Sequence, residues 1–348
     1  MDWRKSYSAI YILTKVDPVT WKDVEQFKII SGSIDKDCSS ALIESATVDM
    51  TDTLGDKEYW VRINLKASQN GDEEYVPLFT GLSSVPTRNI EGGRVSYSVE
   101  CHSVLKPSSD ILLQRGWYVP KAFNGAEMVK RLLSVNPCPI YISGESPYLK
   151  KAIVAEQGES NLSMALKILD AIDWRLRVTG DGSVEILPEA NFAETTFNPI
   201  DCDIVEDSIT DTIDWYSCPN VLRVISEGMA AVVKDENPNS RLSTVSRGRE
   251  IWEEENVGNL KKGETLAQYA IRRLKRLQEI ARTISYSRRY DPSICVGDAV
   301  GLNYPEFGLD GLFISESQSI QLGYSPRVSE SIRTKNEDDD DEYENDYE

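Results

Sequence analysis

Two segments near the N-terminus alternate strictly between apolar and polar residues, and this period of two constrains the fold more than any other feature. In YWVRINLKA (59–67), Val61, Ile63 and Leu65 alternate with polar or charged side chains, and RVSYSVECHSV (94–104) alternates in the same way. Successive side chains of a β-strand point to opposite faces of the sheet, so both segments predict strands with one buried face. The polar turns between them favour an antiparallel sandwich or a small barrel.

Helical patterns occupy the middle of the chain. FNGAEMVKRLLS (123–134) and ESNLSMALKILDAIDW (159–174) carry apolar residues three and four positions apart, with Asn124 and Ser160 as N-cap residues. The next segment, WRLRVTGDGSVEILPE, predicts a β-hairpin that turns at TGDGS. Together these elements predict a small α+β domain at 107–195.

The chain returns to β-patterns after residue 196 but also contains its clearest helix there. NVLRVISEG and MAAVVKDENPNS predict a hairpin, and ICVGDAVGL and GLFISESQSIQLG predict later strands. A helix is predicted over 264–282, where Thr265 and Gln268 fit a capping box. Its polar face is basic, and three explanations are open: solvation, pairing with acidic residues elsewhere in the chain, or docking of a partner.

The pair Gly297-Asp298 divides the ICVGDAVGL segment. Apolar residues alternate on both sides of this pair, so the sequence predicts that it breaks or bends a barrel strand. Asp298 has no histidine, lysine or ligand cluster nearby in sequence. We therefore expect its side chain to bind local backbone groups rather than to act in catalysis.

One internal similarity links the two β-rich regions. PLFTGLSSVPTRN (77–89) and GLFISESQSIQLG (311–323) share a Leu-Phe start and a serine-rich continuation. Two related barrels in one chain would produce this similarity, and so would chance.

The net charge of −19 is distributed unevenly, with nine of the acidic residues in the last 13 positions. Like charges repel one another, which predicts a disordered tail at 336–348, either a solubilising end or a docking peptide. The rest of the chain is also acidic, which disfavours nucleic-acid binding. The apolar run at 9–13 is too short for a signal peptide, and no run approaches the ~18 to 20 residues of a membrane span. We expect a soluble chain, made in the cytosol, with no membrane anchor.

No arrangement of residues predicts a catalytic, cofactor-binding or metal site. The six cysteines lack CxxC spacing and favour free, mostly buried thiols. His102, the only histidine, lies on the opposite face of its strand from Cys101, which disfavours both zinc and a nucleophile–histidine pair. GNLKKGET (258–265) is similar to a phosphate loop, but Glu264 stands where lysine is needed, and IWEEENV before it is no buried parallel strand.

A carboxylate pair for glycoside cleavage stays open, because its two members need only meet in space. The run Glu253, Glu254 and Glu255 predicts a solvated surface instead. The expected chain is therefore not an enzyme, and it has no cofactor.

Four segments follow one another in a characteristic order between residues 40 and 325. They are LFTGLSSVPTRNIEGGRVSYSVECHSVLKPSSDILL, LSMALKILDAIDWRLRVTGDGSVEILPE, DSITDTIDWYSCPNVLRVISEG and ETLAQYAIRRLKRLQEIARTISYSRRYDPSICVGDAVGLNYPEFGLDGLFISESQSIQLG. The series resembles the bacteriophage baseplate-hub family, which includes the central hub of contractile tails, late-control-D-like proteins and the N-terminal part of siphophage tail-associated proteins. The order of the segments carries the resemblance, not a single motif.

The resemblance implies an α+β, mainly β fold with two tube-like antiparallel β-barrels and a small α+β insert. DWYSCPNVLRV would enter the second barrel, TLAQYAIRRL would be its helix, and PSICVGDAVGL and GLDGLFISES would supply further strands. The implied domains are a first barrel at 1–106, the insert at 107–195, a second barrel with its helix at 196–335, and the acidic tail at 336–348.

The resemblance also implies a function. Three chains would form a pseudo-sixfold homotrimer that joins the hexameric tail tube to a threefold tip, around the channel through which DNA leaves. The implied partners are the tail tube protein or distal tail protein, the tape-measure protein and a tip spike or fibre, without stable nucleic-acid binding. The chain would be assembled in the host cytoplasm and reside in the virion, with any cell-wall cleavage supplied by a separate protein.

Two alternatives remain at this point: a tail-tip cell-wall hydrolase with a dispersed carboxylate site, and a carbohydrate-binding module at the host surface. Contractile, long flexible and tailocin-type tails are all compatible with the resemblance.

Overall fold

The computed structural model describes residues 1–3, 5–188, 194–197, 205–213, 216–226, 228–257, 264–279, 282–323 and 327–334. The predictions for the acidic tail at 336–348, for Cys202 and for 258–263 of the loop-like segment lie outside these residues. The predicted α+β, mainly β class is confirmed, since strands dominate the described residues and five α-helices accompany them there.

The strands are β1 (Ser8–Val16), β2 (Asp23–Asp37), β3 (Glu44–Met50), β4 (Trp60–Gln69), β5 (Asp72–Ser83), β6 (Thr87–Glu91), β7 (Arg94–Ser103), β8 (Tyr118–Val119), β9 (Ile140–Ile142), β10 (Ile153–Val154), β11 (Trp174–Val178), β12 (Val184–Pro188), β13 (Glu194–Phe197), β14 (Val205–Ile213), β15 (Val221–Ser226), β16 (Met229–Lys234), β17 (Trp252–Asn256), β18 (Arg282–Arg289), β19 (Ala299–Tyr304), β20 (Leu309–Gln321) and β21 (Arg327–Thr334). The helices are α1 (Lys106–Asp110), α2 (Gly125–Leu133), α3 (Asn161–Asp170), α4 (Thr244–Arg247) and α5 (Leu266–Glu279).

Six N-terminal strands form a closed ring, which we call the first ring. Its order is β1-β2-β3-β7-β5-β4, and β4 pairs again with β1. Every pair is antiparallel, as the alternating segments predicted. Val61, Ile63 and Leu65 of β4 are completely buried inside the ring, which confirms the predicted buried face of that strand.

Six C-terminal strands form a second sheet with the order β14-β18-β21-β20-β19-β13. Its pairs are antiparallel except β13 with β19, which is parallel. Phe197, Ile284, Phe313 and Ile332 are buried in a hydrophobic cluster on one side of it. Within the described residues, β14 pairs only with β18.

The second sheet repeats the strand order of the first ring. In chain order, β14, β18, β19, β20 and β21 take the places of β2, β3, β4, β5 and β7, and β6 continues β5 along β7. The register repeats as well. The pair Gly81↔Ser103 of the first ring corresponds to Ser315↔Ile332 of the second sheet, and with the same offsets in residue number Thr87↔Ser98 corresponds to Gln321↔Arg327.

The similar segments 77–89 and 311–323 therefore occupy equivalent positions. Phe79 and Phe313 are equivalent, and both are buried. Because the strand order and the register agree over several strands, this internal similarity reflects a structural repeat rather than chance.

A strand junction joins the two halves. Residues 33–37 of β2 pair with 317–321 of β20, while the first half of β2 pairs with β1 and the first half of β20 pairs with β19. Each long strand thus runs from its own half into the junction. The result is a continuous sheet with the order β6-β7-β3-β2-β20-β21-β18-β14.

An α+β unit lies between β7 and β13 in the sequence. Asn124 and Ser160 cap α2 and α3 by accepting hydrogen bonds from the backbone N–H groups of Glu127 and Ser163, which confirms both predicted caps. The predicted hairpin is formed by β11 and β12, with β9 parallel to β12. This unit has its own hydrophobic core, in which Leu133, Met164 and Ile168 are among the buried side chains of α2 and α3.

The segment between β14 and β18 differs from its prediction as part of the second barrel. β15 and β16 form the predicted hairpin, but they belong to a separate three-stranded sheet with β17, which packs on α5. IWEEENV is not buried, but β17 within it does run parallel to β15. Helix α5 ends at Glu279, before the predicted residue 282, because Arg282 already pairs in β18.

Candidate functional site

One face of the continuous sheet is built from small hydroxyl side chains and carboxylates. Side chains alternate along each strand, so residues between the buried core positions project to the opposite face. We call this surface the hydroxyl face. Its members are Ser31, Ser33 and Asp35 of β2, Ser45, Thr47 and Asp49 of β3, Ser98 and Glu100 of β7, Thr210 of β14, Ser285 and Ser287 of β18, Ser317 and Ser319 of β20, and Ser329 and Ser331 of β21.

The strand register aligns these side chains in rows across the sheet. Asp35 lies opposite both Ser45 and Ser319, Ser319 lies opposite Ser329, and Ser329 lies opposite Ser287. The Ser319 hydroxyl donates a hydrogen bond to Asp35 Oδ1 at 2.6 Å, across the junction of the two halves. The row therefore crosses from the first ring to the second sheet without interruption.

A groove of about 470 Å³ follows the hydroxyl face over the second sheet and the junction. Its lining residues are Asp35, Lys36, Asp37, Ser208, Thr210, Ser285, Tyr286, Ser287, Ser317, Gln318, Ser319, Ser329, Glu330 and Ser331. Most of them are hydroxyl or carboxylate residues, so the groove is polar and has no apolar pocket for a small ligand.

Basic residues on this face stand at the margins. Arg289 is the last residue of β18, Arg327 is the first of β21, and Arg333 is next to its end. The centre of the face thus offers hydroxyl groups and negative charge. Such a surface stays hydrated and repels phosphate groups, because phosphate binding requires clustered Lys and Arg.

The hydroxyl face was not predicted from the sequence, although a signal for it exists. SGSIDKD (31–37), ISYS (284–287), SESQS (315–319) and VSES (328–331) place serine or aspartate at alternate positions. That signal becomes specific only when the register brings these strands side by side.

Beneath this face, the second sheet buries an ion pair. Arg288 and Glu330 are each 1% exposed, and Arg288 Nε donates to Glu330 Oε2 at 2.6 Å. The Tyr286 hydroxyl, the Ser315 hydroxyl and Gln318 Nε2 also donate to the Glu330 carboxylate, at 2.7, 2.6 and 2.8 Å. Burial acts to raise the pKa of Glu330, but the charge of Arg288 and these hydrogen bonds hold it below its ordinary value.

A second buried carboxylate lies in the first ring. Glu44 is 3% exposed, and Lys36 Nζ lies 3.3 Å from its Oε2 atom. Desolvation outweighs the attraction of Lys36 and raises the pKa of Glu44 from 4.5 to about 7. Lys36 belongs to the junction segment of β2, so this titration takes place next to the strand pairing that joins the halves.

Asp298 connects the insert to the second sheet. Its Oδ2 accepts a hydrogen bond from the Cys295 backbone N–H at 3.2 Å, as the predicted local backbone role requires. The same oxygen accepts from Arg177 Nη2 at 3.1 Å, and Arg175 Nη2 lies 3.7 Å from Oδ1, both arginines being on β11. Asp298 therefore also binds a strand of the α+β unit, a role that its sequence neighbours could not reveal.

The prediction that Gly297-Asp298 breaks or bends a barrel strand is wrong. The pair lies in a turn and bend directly before β19, which begins at Ala299. Gly297 has φ +86°, and a Cβ atom there would lie 2.3 Å from Arg175 Nη1. Glycine fits because it adopts this backbone conformation readily and leaves room for the arginine.

Two of the basic residues of α5, Arg272 and Arg273, pair with acids of this chain, which is the second of the three explanations. Arg273 Nε lies 2.8 Å from Glu255 Oε2, and Arg272 Nε lies 3.2 Å from Glu264 Oε1. Glu255 is thus not part of a purely solvated run. The predicted capping box is present, since Thr265 N–H donates to Gln268 Oε1 at 2.9 Å.

His102 and Cys101, the residues considered for a metal site or a nucleophile–histidine pair, point to different faces of β7. His102 is half-buried in β7, while Cys101 points into the core of the first ring, where burial raises the pKa of its thiol to about 12. Within the described part of the chain, no three His, Cys, Asp or Glu side chains are grouped to hold a metal ion. None of the described helices is both long and apolar enough to cross a membrane.

The fold built from the first ring, its repeat in the second sheet and the insert between them is similar to the folds of several tail proteins of known structure. The chain is similar to the tail protein from Neisseria meningitidis MC58, with 13% sequence identity, a TM-score of 0.68, and coverage of 94% of this chain and 96% of that chain. It is also similar to the prophage MuSo2 43 kDa tail protein from Shewanella oneidensis, with 12% identity, a TM-score of 0.65, and coverage of 93% of this chain and 98% of that chain. The prophage tail protein gp18 from Listeria monocytogenes EGD-e is similar with 12% identity, a TM-score of 0.53, and coverage of 94% of this chain and 95% of that chain.

No protein-family model matches the sequence, and no curated protein does. At these identities the likeness is one of fold. The resemblance to phage tail proteins, which the order of sequence segments predicted, is thereby confirmed for the fold.

Proposed function

We propose that this chain is a structural hub of a phage tail tip or baseplate, in which three copies form a ring around the DNA channel. The observation that carries the proposal is the hydroxyl face, which continues across both halves of the chain. Two repeats in each chain would present six similar units in a trimer. Such a ring matches a hexameric tail tube on one side and a threefold tip on the other.

The hydroxyl face is the surface that we place toward the channel. DNA must pass through such a channel without being held. Carboxylates such as Asp35, Asp49 and Glu100 repel phosphates, and the serine hydroxyls between them keep the wall hydrated. A basic wall of the same shape would retain DNA through its phosphates.

The proposal includes two tube-like barrels, at 1–106 and 196–335, separated by the insert at 107–195. Within 196–335, β15, β16, β17 and α5 form a separate unit outside the second sheet. Its partners are the tail tube or distal tail protein, the tape-measure protein and a tip spike or fibre. The likeness in fold to tail proteins supports a virion location and a structural role without catalysis.

Light scattering together with negative-stain microscopy tests this proposal. The purified chain, alone or mixed with its tail tube protein, should form rings with a mass near three times 39.1 kDa for the hub component. A chain that stays monomeric under both conditions, or that clears peptidoglycan, would contradict it.

A further inference from the structure

Two strand edges of the continuous sheet stand at its opposite ends. At one end β14 pairs only with β18, and at the other β6 pairs only with β7, within the residues that the structure describes. An unpaired edge presents backbone donors and acceptors that can pair with another strand. The question is which strand completes each edge.

The structural repeat answers this question, because it matches these edges to the strands that already pair at the junction. In the first ring, Ala46 of β3 pairs with Ile34 of β2 and with Cys101 of β7. In the second sheet, Tyr286 of β18 pairs in the same way with Ile209 of β14 and Glu330 of β21, so Ile209 is the equivalent of Ile34. Residues 208–212 of β14 are therefore equivalent to 33–37 of β2. By the repeated register of β5 and β20, residues 83–87 are equivalent to 317–321.

Most of the two equivalent segments is available for pairing, except Ser83, which is buried and whose N–H donates to the Tyr59 carbonyl at 2.8 Å. Ser208, Thr210, Asp211 and Thr212 are exposed. In the segment that would pair with them, Val85 is 55% exposed, an apolar side chain that a second strand would cover.

If the second sheet closed into a ring as the first does, the edge of β14 at 208–212 would stay unpaired. In the first ring, β1 pairs with β2 only up to Lys28, and it leaves 33–37 to β20. By the same register, the positions that correspond to that closing part of β2 come before Val205 in the sequence and lie outside the described residues. The edge at 208–212 thus corresponds to the part of β2 that is used between halves, not within one.

We infer that residues 208–211 of β14 pair antiparallel with residues 84–87 of a second copy of this chain, in the register of the junction inside each chain. Asp35↔Ser319 within the chain then becomes Thr210↔Val85 between chains. This contact is heterologous, because the two edges differ, and its repetition closes a ring of three when each copy is rotated by a third of a turn from the last. The inference rests on the proposed function for the number of copies, and it adds the residues that form the contact.

Disulfide cross-linking tests this register on the full chain. The double variant Thr210→Cys/Val85→Cys should give covalent trimers on a non-reducing gel after mild oxidation. Each single variant carries the same native cysteines and serves as the matched control, and it should give no covalent trimer. Both positions are exposed, and circular dichroism should show unchanged folding of the variants.

Hydrogen exchange on the unmodified chain supplies a second readout. Amides of 208–211 should become protected when the protein assembles. Rings that form without cross-links and without this protection would overturn the inference and leave the proposed function standing. A chain that forms no assembly and no cross-link would overturn both.

Discussion

Arg288 and Glu330 form a hydrogen-bonded ion pair in the interior of the second sheet, at 2.6 Å between Nε and Oε2. Their equivalents in the first ring are Val48 and Cys101, which are buried and apolar. The same strand order thus has apolar side chains at these two positions in the first ring and an ion pair at them in the second sheet. The ion pair belongs to the second half and is not a requirement of the topology.

Replacement of Arg288 alone should destabilise the protein strongly. Arg288→Met leaves the Glu330 carboxylate buried without its cation, and we expect a loss of about 3–5 kcal/mol in the free energy of unfolding. The double variant Arg288→Met/Glu330→Gln should recover part of that loss, because no net charge remains buried. Urea unfolding measures the free energy of unfolding of both variants. A double variant that is less stable than Arg288→Met alone would contradict this explanation.

The stability of the first ring should depend on pH through Glu44. Between its ordinary pKa of 4.5 and its folded value of about 7, the folded protein holds a proton that the unfolded chain has released. Raising the pH through this window therefore favours unfolding, by up to about 3 kcal/mol. Glu44→Gln should remove this dependence, so its stability relative to the unmodified protein should rise from pH 4.5 to pH 8. Parallel thermal-unfolding profiles of the two proteins would refute the assignment.

Loss of Asp298 should loosen the insert. Asp298→Asn removes the charge that Arg175 and Arg177 share, and we expect a loss of about 3 kcal/mol in unfolding free energy. Faster hydrogen exchange in β11 would locate the effect at the contact between insert and second sheet. Asp56→Asn, at an exposed position in a bend, is the matched control and should change neither quantity. Equal exchange in β11 of the two variants would contradict the proposed connection.

Lysines on the hydroxyl face should convert the protein into a DNA binder. Ser45→Lys/Thr47→Lys/Ser329→Lys adds three cations to exposed positions of the face, and the assembled protein should then bind duplex DNA in a salt-dependent manner. Fluorescence anisotropy at several salt concentrations measures this.

The matched control places three lysines at exposed positions away from the face, as Thr20→Lys/Ser134→Lys/Ser163→Lys. Net charge is then the same in both variants. Equal DNA affinity of the two variants would show that net charge alone, not the position of the lysines on the hydroxyl face, determines binding.

Local signals in the sequence predicted much of the fold. Alternation identified β4 because one face of that strand is buried, and side-chain oxygens at Asn124 and Ser160 identified helix starts because caps act within three residues. The end of α5 was placed too late, since the pairing of Arg282 in β18 is not visible locally.

The candidate site could not be predicted in this way. Asp298 meets Arg177 from 121 positions away, and the hydroxyl face exists only after the register is known. Ser319 and Asp35 are 284 positions apart in sequence, yet they share a hydrogen bond. Contacts of this kind depend on tertiary pairing, on which short sequence windows carry no information.

The junction of β2 and β20 also determines how the chain responds to mechanical load. A rotation of one half against the other would have to break the backbone hydrogen bonds of five adjoining residue pairs together. We therefore expect the two halves to move as one body rather than as hinged segments. In the proposed ring, any opening movement should then occur at the contacts between chains rather than at the junction inside each chain.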